Sequence, residues 1–309
     1  MTLSATPLVA GTWHVAPDAG TVGDGSPTNP FALVAEGMAA ATLGDTVSLA
    51  AGTYSATVPV TAYGQNRLAL LVLKNGVTVI GAGREATFLH ALPASIYTFG
   101  ITAEEVDESA SVSDLTVTGA CFQGVNLRGA SPRLSRLHLV NDVTGGSSLA
   151  CDVRDLSFPV VEDVLFDGGH TALVVEFGSG GTYTGCTIGI RPNDGMICNN
   201  ATPELIETVF LGAGRDLLVL ALGSQPVLRG CTIADGSRFA VRVAVYDPGS
   251  EIDLGGNTWF STDPATIRTR ILDALVDPSL GATVLIEPLG DGGVPVRDLS
   301  FGSIKAQYR

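Results

Sequence analysis

Ser131-Pro132-Arg133-Leu134, Phe158-Pro159-Val160-Val161, Gly180-Gly181-Thr182-Tyr183, Thr202-Pro203-Glu204-Leu205 and Gln225-Pro226-Val227-Leu228 line up beneath one another, with starts 27, 22, 22 and 23 residues apart. A few residues into each comes a three-residue unit: Leu137-His138-Leu139, Val164-Leu165-Phe166, Cys186-Thr187-Ile188, Val209-Phe210-Leu211 and Cys231-Thr232-Ile233. Leu115-Thr116-Val117 and Asn257-Thr258-Trp259 extend the register, giving spacings of 22, 27, 22, 23, 22 and 26. The first and third residues of a unit are mostly apolar and the middle one is more often polar, the period-two alternation of a strand with one buried face.

A second strand follows each unit: Val125-Asn126-Leu127, Cys151-Asp152-Val153, Leu173-Val174-Val175, Met196-Ile197-Cys198, Leu217 to Leu222, and Val241-Arg242-Val243. Gly, Pro, Asn and Asp corners separate these strands, and no repeat unit has room for a helix. Repeats of this length stack coil on coil. The predicted fold is therefore all-β, a right-handed single-stranded parallel β-helix. Leucine-rich repeats would carry Leu-x-x-Leu-x-Leu in every turn, and helical repeats need a 3.6-residue apolar period; neither pattern is present.

Length and composition agree with one solenoid domain over residues 1–309, made of an N-terminal capping region (11–54), regular coils (111–260) and a C-terminal cap (261–309). The formal net charge of -14, with lysine only at Lys74 and Lys305, disfavours nucleic acid as a partner. The mean hydropathy of +0.33 is high, yet no apolar run reaches membrane-spanning length. The odd count of 5 cysteines leaves at least one thiol unpaired. Cys186 and Cys231 fall at the same inward position two coils apart, roughly 9–10 Å at strand spacing, too far to bridge. The cysteines are read as buried core.

Two segments read as end caps. Phe31, Val34, Met38 and Ala41 share one helical face, with Asn29 as N-cap, Pro30 at N1 and Gly44 as the stop, predicting a helix over 31–43. Ile267, Ile271 and Leu275 after Asp263 predict a second helix from Pro264 to Leu275, followed by a last strand at Val284-Leu285-Ile286, and Val294 to Phe301 is expected to dock as a final strand. No basic-then-apolar leader is read at Met1-Thr2-Leu3-Ser4. The expectation is an extracellular or surface protein if a leader has been removed, and a cytoplasmic or particle-associated one if Met1 is native.

The order Trp13-His14-Val15-Ala16-Pro17, Asp24-Gly25, Asn29-Pro30-Phe31, Asp45-Thr46-Val47-Ser48-Leu49, Gly52-Thr53-Tyr54 and Asn75-Gly76-Val77-Thr78-Val79-Ile80-Gly81 resembles the N-terminal module of bacterial pectin-lyase-like right-handed β-helix proteins. Asn257-Thr258-Trp259-Phe260, Asp263-Pro264 and Val284 to Pro288 resemble the way such β-helices end. What the resemblance implies is the fold, together with a functional range spanning polysaccharide lyases, glycoside hydrolases, binding modules and structural proteins.

Lyase chemistry requires a base beside a uronate carboxyl group and a cation to neutralise it. On this chain the outward row of the second strand is the place to look. By alternation it holds Asn126 and Arg128, Asp152 and Arg154, Val174 and Glu176, Ile197 and Asn199, Leu218 and Leu220, then Arg242 and Ala244. Arg128, Asp152, Arg154 and Glu176 are the catalytic candidates, and Asn126, Asn199, Arg242 and Tyr246 the binding candidates. The competing reading is a set of exposed ion pairs worth little each. On the groove reading, Arg154→Ala weakens ligand binding and hardly changes stability, because an exposed pair contributes little.

Hydrolase chemistry would draw on Asp152, Asp155, Asp163 and Asp167. Asn193-Asp194-Gly195 and Gly169-His170 read as corner residues. No metal-ligand spacing is found among the four histidines. No cofactor is expected, the alternative being Ca²⁺ at the acidic loop Glu104, Glu105, Asp107 and Glu108. Leu165, Val174, Ile197, Phe210, Leu218 and Leu220 are read as an exposed apolar row and hence an interface, for a partner or a homo-oligomer. The sequence thus predicts a non-catalytic module binding a glycan or protein partner, with a polysaccharide lyase and a structural filament or tail-like subunit as the alternatives.

Overall fold

The computed structural model describes residues 10–20, 22–93, 97–119, 121–142, 148–189 and 193–290. The chain winds into a parallel β-solenoid built from a 16-stranded and a 10-stranded sheet, closed off by a two-stranded pair, Ser250–Asp253 with Ala282–Leu285. The ten-stranded sheet carries the candidate site residues, and its strands are β1 (Val58–Ala62), β2 (Gln65–Val72), β3 (Thr98–Glu104), β4 (Gln123–Arg128), β5 (Leu149–Arg154), β6 (Thr171–Glu176), β7 (Asp194–Asn199), β8 (Asp216–Ala221), β9 (Phe239–Ala244) and β10 (Ile271–Leu272). They lie side by side in chain order, parallel throughout except for the antiparallel hairpin β1–β2.

Left-handed residues bend each coil in two places. One ladder of positive φ runs through Asp114, Arg136, Asp163, Gly185, Glu207, Gly230 and Gly256 and folds the larger sheet into two faces. A second follows the ten-stranded sheet through Glu105, Gly129, Asp155, Phe177, Asn200, Leu222 and Val245. Inside the solenoid, equivalent residues stack: Leu134, Val161, Tyr183, Leu205 and Leu228 in one column, Leu139, Phe166, Ile188, Phe210, Ile233 and Trp259 in another, all buried. Where a corner leaves backbone N–H groups inside, side-chain oxygens accept from them. Ser157 Oγ accepts from Ala130 N at 3.0 Å, Ser179 Oγ from Ser157 N at 3.1 Å and Ser224 Oγ from Ala201 N at 3.1 Å.

The ladders correct the register of two strands. Val209 pairs with Thr187 and Thr232, so Val209 faces out and Phe210 faces in, with Thr208 in the place equivalent to Cys186 and Cys231. Leu218 pairs with Met196 and Leu220 with Cys198, which puts both in the core and turns Val219 and Ala221 outward. Phe210, Leu218 and Leu220 are therefore core residues and form no interface. On the second of these strands two successive residues, Leu217 and Leu218, both lie in the core, which breaks the alternation. A slip of one residue reverses every side chain.

Both caps are shorter than expected. Helix α1 spans Val34–Ala40, its N-cap is Leu33, and Glu36 accepts from the Leu33 N–H at 3.0 Å. Asn29 instead closes a turn on Ser26. Asp45 ties this cap together by accepting from Gly11 N at 2.7 Å, Thr42 N at 2.8 Å and Trp13 Nε1 at 3.2 Å. Helix α2 is only Pro264–Arg268, capped by Asp263. Ile271 then enters β10 beside Val241, and Leu275 is exposed. The expected strand over 294–301 lies outside the described residues.

Candidate functional site

The outer face of the ten-stranded sheet carries two charged clusters separated by an apolar strip. Along the middle outward row the ladder reads Thr102, Asn126, Asp152, Val174, Ile197, Val219 and Arg242. Polar residues thus stand at both ends and Val174, Ile197 and Val219 between them.

The first cluster lies under the β1–β2 hairpin. Tyr63 and Gly64 form its two-residue turn, both at positive φ (56° and 67°), the geometry whose twist matches a hairpin. This turn carries the Tyr63 ring across to β4 and β5. Its hydroxyl donates to Asn126 Oδ1 at 2.7 Å and lies 3.3 Å from Asp152 Oδ2 and 3.4 Å from Gln123 Oε1. The Arg128 and Arg154 guanidiniums stack on the ring at 4.7 and 5.2 Å from its centroid. Asp152 is fully buried. Its Oδ2 accepts from Gln123 Nε2 at 2.5 Å and from Arg154 Nη2 at 2.7 Å, and the same Nη2 reaches Glu176 Oε1 at 2.6 Å. Two buried atoms here, Asp152 Oδ1 and Arg154 Nε, have no hydrogen-bond partner.

Burial raises the Asp152 carboxyl to about 6, against the opposing pull of Arg154. Burial, helped by the Asp152 charge, also raises the Tyr63 phenol to about 12. Arg128 is held by Asp155 at 2.9 Å and by Glu104 at 3.7 Å. The catalytic candidates Arg128, Asp152, Arg154 and Glu176 are thus brought together, but Asp152, Arg154 and Glu176 are committed to one another and Arg128 to Asp155 and Glu104. The Arg154→Ala expectation changes with this: Arg154 is the partner of a buried carboxylate, so its loss is felt in stability.

The second cluster is built on β7–β9. Asp194 and Asp216 are neighbours on adjacent coils and both are fully buried. Arg215 Nε donates to Asp194 Oδ1 at 2.8 Å and its Nη2 to Oδ2. Arg238 binds Asp216 in the same forked way, and Arg242 Nε donates to Asp216 Oδ2 at 2.7 Å. Burial acts to raise the Asp216 carboxyl, but the hydrogen bonds and charges of Arg238 and Arg242 outweigh it and hold it below the usual range. All three guanidiniums remain partly exposed. Arg270, on the next coil, pairs with Asp235 at 2.6 Å.

The other expected residues scatter. Asn199 Nδ2 lies 3.4 Å from Glu176 Oε2, at the edge of the first cluster. Tyr246 packs against the core and donates to the Ser224 carbonyl at 2.7 Å, away from the outer face. Asp163 pairs with Arg84 at 2.5 Å and Asp167 faces His138 at 3.8 Å, both on the other sheet, so the four aspartates do not converge. In the acidic loop Asp107 accepts from Ser109 N at 2.9 Å and Glu108 pairs with Arg133 at 3.3 Å. Among the described residues no group of three or more His, Cys, Asp or Glu side chains has an arrangement that could hold a metal ion, and no helix is long and apolar enough to cross a membrane.

Tyr63, Gln123 and the Asp194–Asp216 pair escaped the sequence reading. The readable signals were Tyr63-Gly64 between two apolar stretches, and an arginine immediately before each of β8, β9 and β10. Leu165 and Ile197 do face outward and are partly exposed, while Val174 is buried although it faces out.

No protein-family model matches the chain, and no curated protein matches its sequence. Among solved structures, a pectate lyase is 14% identical with a TM-score of 0.60, over 93% of this chain and 80% of that one. A rhamnogalacturonan lyase is 12% identical with a TM-score of 0.56, over 81% of this chain and 74% of that one. An alginate lyase from Paenibacillus sp. is 14% identical with a TM-score of 0.61, over 91% and 96%. At such identities the likeness concerns architecture, and the architecture is the pectin-lyase-like parallel β-helix.

Proposed function

We propose that this protein binds carbohydrate through the outer face of its ten-stranded sheet, and that its ligand is a carboxylate-bearing polysaccharide lying along the solenoid axis. The observation that carries the reading is the group Arg215, Arg238 and Arg242 on two adjacent coils: Asp194 and Asp216 engage their Nε and Nη2 edges or Nε alone, and each guanidinium keeps further N–H donors on a partly exposed side chain. Coils repeat at about 4.8 Å, a step comparable with the length of a sugar residue. The polymers named for the three similar structures are acidic, in keeping with guanidinium recognition. Binding is favoured over β-elimination because Asp152 is sealed from solvent and Arg154 is held by Asp152 and Glu176.

Calorimetric titration with polygalacturonate, alginate and a neutral glucan tests this. Binding to an acidic polymer is expected to weaken at least tenfold in Arg238→Ala and as salt is raised; equal affinity for the neutral glucan, or an unchanged Arg238→Ala, counts against it. Rising ultraviolet absorbance from an unsaturated product would instead mark a lyase.

A protein partner is the second reading, favoured by Leu156, Phe177, Leu222 and Val245. All four are exposed and sit at left-handed corner positions along one edge of the sheet. A defined oligomer by light scattering would support it.

A further inference from the structure

Two stretches that read as corners in the sequence, Gly169-His170 and Asn193-Asp194-Gly195, meet on the edge where the chain enters the ten-stranded sheet. The backbone sets one residue per coil along this edge. Asn193 N donates to the His170 carbonyl at 2.8 Å, Arg215 N to the Asn193 carbonyl at 2.6 Å and Arg238 N to the Arg215 carbonyl at 2.8 Å. His170, Asn193, Arg215 and Arg238 thus form a file about 14 Å from end to end at strand spacing, and all four are at least partly exposed.

The file is bounded at both ends. Beyond His170 the next position is Ser148, which is buried and whose Oγ accepts from His170 N at 3.1 Å. Beyond Arg238 the chain turns into α2, where Arg268 is tied to Asp273 at 3.0 Å and to the Val284 carbonyl.

Halfway along, the chemistry of the file changes. Arg215 and Arg238 only donate, so the groups they favour are acceptors, carboxylates above all. An imidazole and a carboxamide each combine donor and acceptor, the combination that a sugar hydroxyl matches. Asn193 Nδ2 and His170 Nε2 lie 3.3 Å apart and share one hydrogen bond. This leaves the second imidazole nitrogen and the other end of the carboxamide without a partner among the described residues.

We propose that His170 and Asn193 are the hydroxyl-recognising half of the carbohydrate track. A ligand held by its carboxylates at Arg215 and Arg238 runs on over two further coils and hydrogen-bonds there through its hydroxyl groups, so that the edge takes about four sugar residues, one per coil. The inference rests on the carbohydrate reading and adds a length and a polarity to it: acidic groups are required at the Arg238 end, hydroxyl groups at the His170 end.

Calorimetric titration with galacturonate and mannuronate oligomers of two to six residues is the test. Affinity for the wild-type protein is expected to climb from dimer to tetramer and to level off there. Asn193→Ala and His170→Ala are each expected to weaken the tetramer roughly fivefold, the worth of one neutral hydrogen bond, and the dimer, which fits on the arginines alone, by less than about twofold. His170→Gln, which keeps a donor and an acceptor, is expected to recover most of the loss. An affinity that stays flat beyond the dimer overturns the proposal, as does an equal loss for dimer and tetramer in both alanine variants. Binding that depends on Arg238 but not on length sinks this extension and leaves the carbohydrate reading standing; no binding of any oligomer or of the acidic polymers sinks both. The wild-type length series decides the matter alone should a variant not fold.

Discussion

The two charged clusters on the outer face share one sheet and use the same residue types, yet their electrostatics run in opposite directions. Around Tyr63, Asp152, Glu176, Asp155 and Glu104 outnumber Arg128 and Arg154, and burial leaves Asp152 harder to ionise than a free carboxyl group. On β7–β9, Arg215, Arg238 and Arg242 outnumber Asp194 and Asp216, and Asp216 ionises more readily than usual. Burial disfavours the ionised form of both carboxyl groups; at Asp216 the hydrogen bonds and charges of Arg238 and Arg242 outweigh it, and at Asp152 those of Arg154 do not.

Substitutions at the two ends should accordingly diverge. The largest effect is expected for Arg154→Ala, which leaves Asp152 buried without its counter-charge and costs about 3–5 kcal/mol at pH 8. Denaturant unfolding should show the loss shrinking at pH 5, where Asp152 takes up a proton; a constant loss would mean that packing, not charge, is what Arg154 supplies. Next comes Asp152→Asn. Because the folded-state value is raised, the contribution of Asp152 is complete below pH 3.8 and disappears as pH rises through about 6. The wild-type protein is expected to lose about 3 kcal/mol of stability from this group between pH 4 and pH 7, and the variant to lack that slope.

Asp216→Asn should act the other way and destabilise by about 1–3 kcal/mol at pH 7. The contribution of Asp216 is present above the unfolded value and lost as pH falls through its depressed folded one, so the difference from wild type should vanish in acid. If thermal melts give Asp216→Asn and Asp152→Asn the same sign at pH 7, the contrast between the clusters is wrong. The smallest effect concerns neither cluster: Val245, a β-branched residue at φ 60°, is strained, and Val245→Asn is expected to gain about 1 kcal/mol in the same melts.

Much of this architecture was legible because a solenoid repeats its physics. Seven units at a near-constant spacing identified coil and sheet, and Asn126, Arg128, Asp152, Arg154 and Glu176 were placed on one row from alternation alone. Register failed where alternation itself failed. At Leu217 and Leu218 two successive side chains enter the core, and at Thr208 a buried hydroxyl bonded to the Tyr183 carbonyl at 3.2 Å stands where Cys186 and Cys231 suggested an apolar residue. The charged pattern was visible, but its burial was not. What covers Asp152 is a tyrosine 89 residues earlier in the chain, and only the folded hairpin reveals that meeting. Asp194 looked like a turn residue because Asn and Gly flank it; its ladder pairing with Thr171 makes it a strand residue, and the guanidinium of Arg215, one coil later, satisfies its buried carboxylate.

The five buried thiols have a use beyond filling space. Cys121, Cys151, Cys186, Cys198 and Cys231 are all free and enclosed, and burial pushes every one of them upward, Cys231 to about 11 and Cys186 to about 12, so in the folded state they are poor nucleophiles. They are also distributed along the axis. A thiol reagent can therefore reach each one only when its own stretch of coil comes apart, and the order in which the five become labelled is a record, written in the chain itself, of where the solenoid begins to unwind.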